Sequence, residues 1–187
     1  MNNKFRASFS ILKMWESGAW DKAIEAYFKM SQFTTRSMEE GKEYHEGWQK
    51  ETNRTQCLPS VFGAKKLTSP KTELKLVVAL ADWLDLVGVI DCLDGDVIYE
   101  YKTGKTNSEI YLNSVQPAVY GVLAVYSGFV VKKAEIYHFD QHSKKMDMSI
   151  VWLTDRVIDD AYEWIFSVSS EMYAYFNEND LFNRFGK

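Results

Sequence analysis

Two runs of strand-forming residues, Trp83 to Cys92 and Asp96 to Thr103, are separated by little more than the dipeptide Asp94-Gly95. Asp-Gly is a strong short-range hairpin signal, because a type I′ turn needs positive φ at both central residues. A hairpin fixes register, and register fixes which side chains share a face of the sheet. With Asp94-Gly95 as a two-residue loop, Leu93 pairs with Asp96, Asp91 with Ile98 and Val89 with Glu100. Asp91 then shares one face with Ile98, Glu100 and Lys102. Asp91 and Glu100 become diagonal neighbours, about 7–8 Å apart at Cα.

The rest of the chain is organised around this hairpin. Ser8 or Ser10 is positioned to cap a helix carrying Ile11, Leu12 and Trp15. After Gly18, a second helix carries Trp20, Ile24 and Tyr27 or Phe28. A third runs from about Ser37 to Glu51, with Met38, Gly41, His45 and Trp48 on one face. Pro59, Gly63 and Pro70 mark a loop with a short strand near Ala64 to Leu67. A strand over Glu73 to Ala81 precedes the hairpin, and a helix from Ser114 to Tyr126 follows it, with Pro117 in its first turn. Strands over Val131 to Asp140 and Met146 to Trp152 come next. The closing helix, Thr154 to Phe176, carries a stripe of Val157, Ala161, Trp164, Val168, Met172 and Tyr175, and the polar tail after it is expected to fray. The expected fold is α/β: one domain over 1–187 with a helical part to about 51, a sheet core over about 64–152 and a helix over about 154–176. A central mixed sheet is flanked by helices.

With 187 residues there is length enough for one hydrophobic core without metal or disulfide staples. The 22 Lys and Arg against 26 Asp and Glu exclude a protein held to nucleic acid by bulk positive charge, though not one with a local basic groove. Lys65, Lys66, Lys71, Lys75 and Lys105 are candidates to line such a path. Cys57 and Cys92 read as free thiols of a reducing, cytoplasmic setting. No leader-like apolar stretch opens the chain. Residues Ile110 to Val131 are uncharged and long enough to span a bilayer, but their Asn, Gln, Pro and Gly content favours a buried helix followed by a strand, so no membrane association is expected. The six tryptophans are assigned to the core rather than to base stacking.

The pattern Glu-x-Lys occurs at Glu40, Glu73 and Glu100. The first falls on a helix, where positions two apart diverge. The second falls on a strand with no acid between Glu51 and Glu73 to complete a site. The third has Asp91 on its own face. Two carboxylates so placed can converge on Mg²⁺ or Mn²⁺, with the Lys102 ammonium beside them to stabilise a phosphoryl transition state. The hairpin alone also fits an exposed Asp91 and a surface Glu100–Lys102 ion pair. His138, Asp140 and His142 form a further His-x-Asp-x-His pattern, but its ends lie about 13 Å apart on a straight strand, too far to chelate one ion.

Gly41 to His45, Gly88-Val89-Ile90-Asp91, Glu100-Tyr101-Lys102-Thr103-Gly104 and Gln116-x-x-x-Tyr120 occur in the order and spacing of the motifs of RecB-like nucleases. Over roughly residues 6 to 176 the chain resembles this branch of the PD-(D/E)XK superfamily, whose core is that of the restriction endonucleases. The resemblance implies a metal-dependent deoxyribonuclease of exonuclease type acting on DNA ends or single strands, in repair or recombination. It implies His45, Asp91, Glu100 and the Tyr101 carbonyl as metal ligands, and Lys102 as the residue that activates the attacking water. It implies Gln116 and Tyr120 as residues that hold the lysine or contact DNA. The cysteines that carry an iron–sulfur cluster in many relatives are missing, so no such cluster is expected. Helicase motifs are missing too, so unwinding would require a helicase or recombination partner. An endonuclease, or a binding module that kept the fold without chemistry, are the competing readings.

Overall fold

The computed structural model describes residues 4–29, 36–104 and 108–185. In chain order its elements begin with β1 (Phe5–Ala7), α1 (Phe9–Glu16), α2 (Trp20–Phe28) and α3 (Arg36–Thr55), followed by β2 (Lys71–Ala81), β3 (Leu84–Asp94) and β4 (Val97–Thr103). The chain continues through α4 (Gln116–Tyr126), β5 (Lys133–Phe139) and β6 (Met146–Trp152), and ends with α5 (Asp155–Glu178) and α6 (Leu181–Phe185). Ser8 holds the extended N-cap position of α1 but its side chain caps no amide there, contrary to expectation, whereas the Thr154 hydroxyl accepts the Val157 amide at the start of α5. The expected strand at 64–67 reduces to a single bridge between Cys57 and Lys66.

All six strands form one mixed sheet. β3 pairs antiparallel with β2 along its length, while its other edge meets β1 in parallel at one end and β4 antiparallel at the other. β4 pairs in parallel with β5, and β5 antiparallel with β6. The larger core lies between the sheet and α1, α4 and α5, around Leu86, Ile90, Ile98, Leu123, Ile165 and Phe176. Here β3 and α4 approach so closely that a Cβ at Gly88 would collide with Leu123. A second, aromatic core lies on the opposite face under α3: Trp48, Phe62, Tyr99, Tyr101 and Tyr137. Tyr101 stacks on Phe62 there, with centroids 5.3 Å apart.

Several expectations need correction. The β3–β4 loop is Gly95-Asp96, closed by Asp94 opposite Val97. Gly95 has φ 59°, whereas Asp94 and Asp96 have no positive φ, as a type II′ turn with Gly first requires. The register is thereby displaced by two residues. Because side chains alternate with period two, the faces are unchanged, and continuing this register one step beyond its last pair, Cys92–Tyr99, sets Asp91 across from Glu100 rather than diagonal to it. The buried stripe of α5 keeps Ala161, Val168 and Met172 but adds Ile158, Ile165 and Phe176 in place of Val157, Trp164 and Tyr175, leaving Trp164 to donate its indole N–H to Glu16. The tail does not simply fray, because Leu181 is buried in α6. Of the tryptophans, Trp20 (52% exposed) and Trp152 (62%) are not core residues. No helix of the described residues is long and apolar enough to cross a membrane. The Met38 side chain and Lys105 lie outside the described residues.

Candidate active site

The sheet is irregular where the acids gather. On β2 and β3, Thr72 pairs with Cys92 and Leu74 with Ile90, so Glu73 and Asp91 stand across from each other between these pairs. Leu74 and Ile90 belong with the larger core, yet Cys92 belongs to the aromatic core and Thr72 donates its hydroxyl hydrogen to Asn53 of α3. Regular alternation would put residues 90 and 92 on one face. Both strands therefore turn over at the Glu73–Asp91 step, and Glu73 takes φ 48°, a left-handed conformation inside a strand. On the other side, β3–β4 pairing ends at Cys92–Tyr99, and the Asp91 Oδ2 takes the place of a backbone acceptor by receiving the Tyr101 amide at 2.8 Å. The result is a cross-strand row of three carboxylates, Glu73, Asp91 and Glu100.

Four other side chains complete the cluster. From α3, His45 Nδ1 lies 3.5 Å from Asp91 Oδ1. Lys102 Nζ contacts Glu100 Oε1 at 2.6 Å and lies over the Tyr111 ring. Gln116 donates from Nε2 to the same Glu100 oxygen at 3.2 Å and to the Tyr120 hydroxyl at 3.0 Å. Glu100 Oε2 is buried and receives no hydrogen bond from the described residues. Gln116 and Tyr120 also border an open groove of about 460 Å³ that runs past Lys75, Val77 and Val89 to Ser8 and Ser10.

The electrostatics follow from burial and crowded like charge. Burial, then the neighbouring Asp91 charge, raises the Glu100 carboxyl, against the pull of Lys102. Burial and Asp91 likewise raise Glu73. Burial on its own would lower Lys102, but Glu100 outweighs it and holds the ammonium protonated. For His45 too, burial acts downward, and Asp91 and Glu100 reverse it. The cluster thus carries excess negative charge in a poorly solvated place. Its donor set of carboxylate oxygens and one imidazole suits Mg²⁺ or Mn²⁺, and the donorless Glu100 Oε2 is a carboxyl oxygen that a cation would satisfy.

Of the residues singled out by sequence, His45, Asp91, Glu100, Lys102, Gln116 and Tyr120 converge here. Tyr101 joins through its backbone, its ring facing the aromatic core. Gln116 grips the glutamate, not the lysine. One His45 nitrogen, one Glu73 oxygen and one Asp91 oxygen all lie within 4.8 Å of one another. Sequence reasoning passed over Glu73 because it sought a partner acid earlier in the chain, whereas the partner, Asp91, comes later. His138 and His142 do not form a site. His138 is buried with Nδ1 3.2 Å from Asp147, and the His142 amide closes a turn onto Asp140.

The fold places the chain among α/β proteins built on a six-stranded mixed sheet with helices on both faces, a fold shared with certain exonucleases. The alkaline exonuclease of Laribacter hongkongensis matches with a TM-score of 0.57 at 10% identity, over 94% of this chain and 91% of that one. Its complex with dAMP gives 0.55 at 12%, over 95% and 92%. A protein assigned as an exonuclease from Eubacterium rectale gives 0.60 at 12%, over 95% and 82%. At these identities the likeness is one of fold. No protein-family model matches the chain, and no curated protein sequence does.

Proposed function

We propose that this chain is a metal-dependent DNA nuclease of the RecB-like exonuclease type, hydrolysing phosphodiester bonds at DNA ends or in single strands. The observation that carries the reading is the row of buried or half-buried acids beside the Glu100–Lys102 pair, with His45 closing it from α3. The shared fold with an alkaline exonuclease, one structure of which holds dAMP, supports a nucleic-acid substrate.

In this reading His45, Asp91, Glu100 and the Tyr101 carbonyl hold Mg²⁺ or Mn²⁺. Such an ion lowers the pKa of a bound water and neutralises phosphate charge. Lys102, held protonated by Glu100, orients the attacking water and donates to the phosphate oxygens as negative charge builds on them. Gln116, itself linked to Tyr120, fixes the Glu100 oxygen that receives Lys102, so the ammonium is positioned before substrate arrives.

The test is end-labelled linear and closed circular DNA incubated with Mg²⁺ or Mn²⁺, with and without chelator. Stepwise shortening of linear DNA, abolished by chelator and reduced ~10²–10³-fold by Lys102→Met, is the expected result. Cutting of closed circles would make the protein an endonuclease. Binding without chelator-sensitive cleavage would make it a silent module.

A further inference from the structure

The turned-over step of the β2–β3 ribbon brings to the site a carboxylate that the hairpin motif does not contain. Two donors on one divalent ion sit about 2.0–2.5 Å from it and so no more than about 4–5 Å from each other. The His45, Glu73 and Asp91 donor atoms meet that limit, and they come from three different elements, α3, β2 and β3. A glutamate at Glu73 is doubly unfavourable without a cation. Its left-handed φ of 48° is one that Gly or Asn adopts more easily, and its side chain stands across from another acid. Next in the row, Glu100 Oε2 is more than nine-tenths buried with no hydrogen-bond donor among the described residues, a second unpartnered carboxyl oxygen that a cation at the same place would satisfy.

We infer that Glu73 is a ligand of the divalent cation, gripping it together with His45 and Asp91, so that the strand preceding the hairpin forms part of the metal centre. The inference rests on the metal-dependent reading above and adds to it a residue outside the motif that suggested that reading. It also gives the irregular ribbon a purpose. A regular β2 would keep Leu74 and Thr72 on one face and turn Glu73 to the other, without the left-handed residue that sets its present direction.

The test is Mn²⁺ titration of the full chain by electron paramagnetic resonance of the free ion, with thermal melting in chelator and in Mn²⁺. Wild type, Glu73→Gln, Glu73→Gly and Asp91→Asn are compared. Glu73→Gln should weaken Mn²⁺ at least ~10-fold. Glu73→Gly should melt higher than wild type in chelator, being freed of strain and repulsion, yet gain less from Mn²⁺. A purely structural Glu73 gives the opposite pattern: Glu73→Gly melts lower in chelator and both Glu73 variants bind Mn²⁺ as wild type does. That result, with Asp91→Asn still losing the ion, overturns the role of Glu73 and leaves the metal-dependent reading standing. Failure of wild type to bind Mn²⁺ overturns both.

Discussion

The Tyr101 amide donates to Asp91 Oδ2 at 2.8 Å where β3 and β4 stop pairing, so one carboxylate both seals a splayed sheet and faces the candidate metal centre. These two roles separate by substitution. Asp91→Asn keeps an oxygen for the amide and should unfold in urea within ~1 kcal/mol of wild type. Asp91→Ala leaves the amide without its partner and should lose a further ~1–2 kcal/mol. Both should lose chelator-sensitive cleavage. Equal stability of the two variants would show that the amide contact carries no weight.

Acid crowding predicts an inverted pH dependence for the metal-free protein. Burial and then Asp91 push the Glu100 carboxyl from 4.5 up to about 7, against Lys102. A group raised on folding contributes stability that is present below its unfolded pKa and lost as pH climbs through the folded one. His45, raised by Asp91 and Glu100 against its burial, has the same sign. In chelator, wild type should therefore melt progressively lower from pH 5 to pH 8, and Glu100→Gln should flatten that slope. Mn²⁺ competes with these protons, so its stabilisation of wild type should be larger at pH 8 than at pH 5.5. Parallel slopes for wild type and Glu100→Gln in chelator would contradict the Glu100 assignment.

Parity explains why so much of this site was legible. Moving the turn from Asp94-Gly95 to Gly95-Asp96 shifts the register by two, and a shift of two keeps every side chain on its face. Asp91, Glu100 and Lys102 were recoverable because strand period places them on one face, whereas His45, Gln116 and Tyr120 entered through the resemblance of their motifs, helix period saying only which face they share. Glu73 was not, because its position depends on a left-handed residue where both strands abandon their period, and propensity does not anticipate such a residue at a glutamate. β1 was missed for a different reason. Three residues are too few for alternation to show, and its strand character comes from pairing with Leu84, Asp85 and Leu86 far along the chain.

The aromatic core under α3 should make the two thiols unequal. Cys92 is fully buried beneath Tyr99 and Tyr101, and burial, then the charge of Asp94, pushes its thiol up to about 12. The thiolate is the reactive form, and at pH 8 almost none of it is present at Cys92. Cys57 is only half-buried. Iodoacetamide at pH 8 should therefore modify Cys57 in the native protein, and Cys92 only after denaturant is added, as read by mass spectrometry of the peptides. Comparable labelling of both cysteines in the native state would mean that this core opens readily.

The segment after α5 looks polar because only three of its described residues pack against the core, and those three lie within about one turn and a half of helix. Leu181 is buried, and Phe182 lies against Phe176 and Tyr173 with centroids 5.5 and 5.6 Å away. Phe185 meets Phe28 at 5.8 Å. Through Phe176, which also touches Phe5, Trp15, Tyr27 and Phe28, α6 closes the end of the larger core over β1. Leu181→Ala should lower unfolding free energy by ~2 kcal/mol, at the lower end of the large-to-small range because the short helix α6 can settle partly into the space left. Arg184→Ala, on the exposed side of α6, should stay within ~0.5 kcal/mol of wild type. Urea unfolding followed by tryptophan fluorescence measures both, since Trp15 reports on this cluster. An unchanged midpoint for Leu181→Ala would mean that α6 is not held against the core in solution.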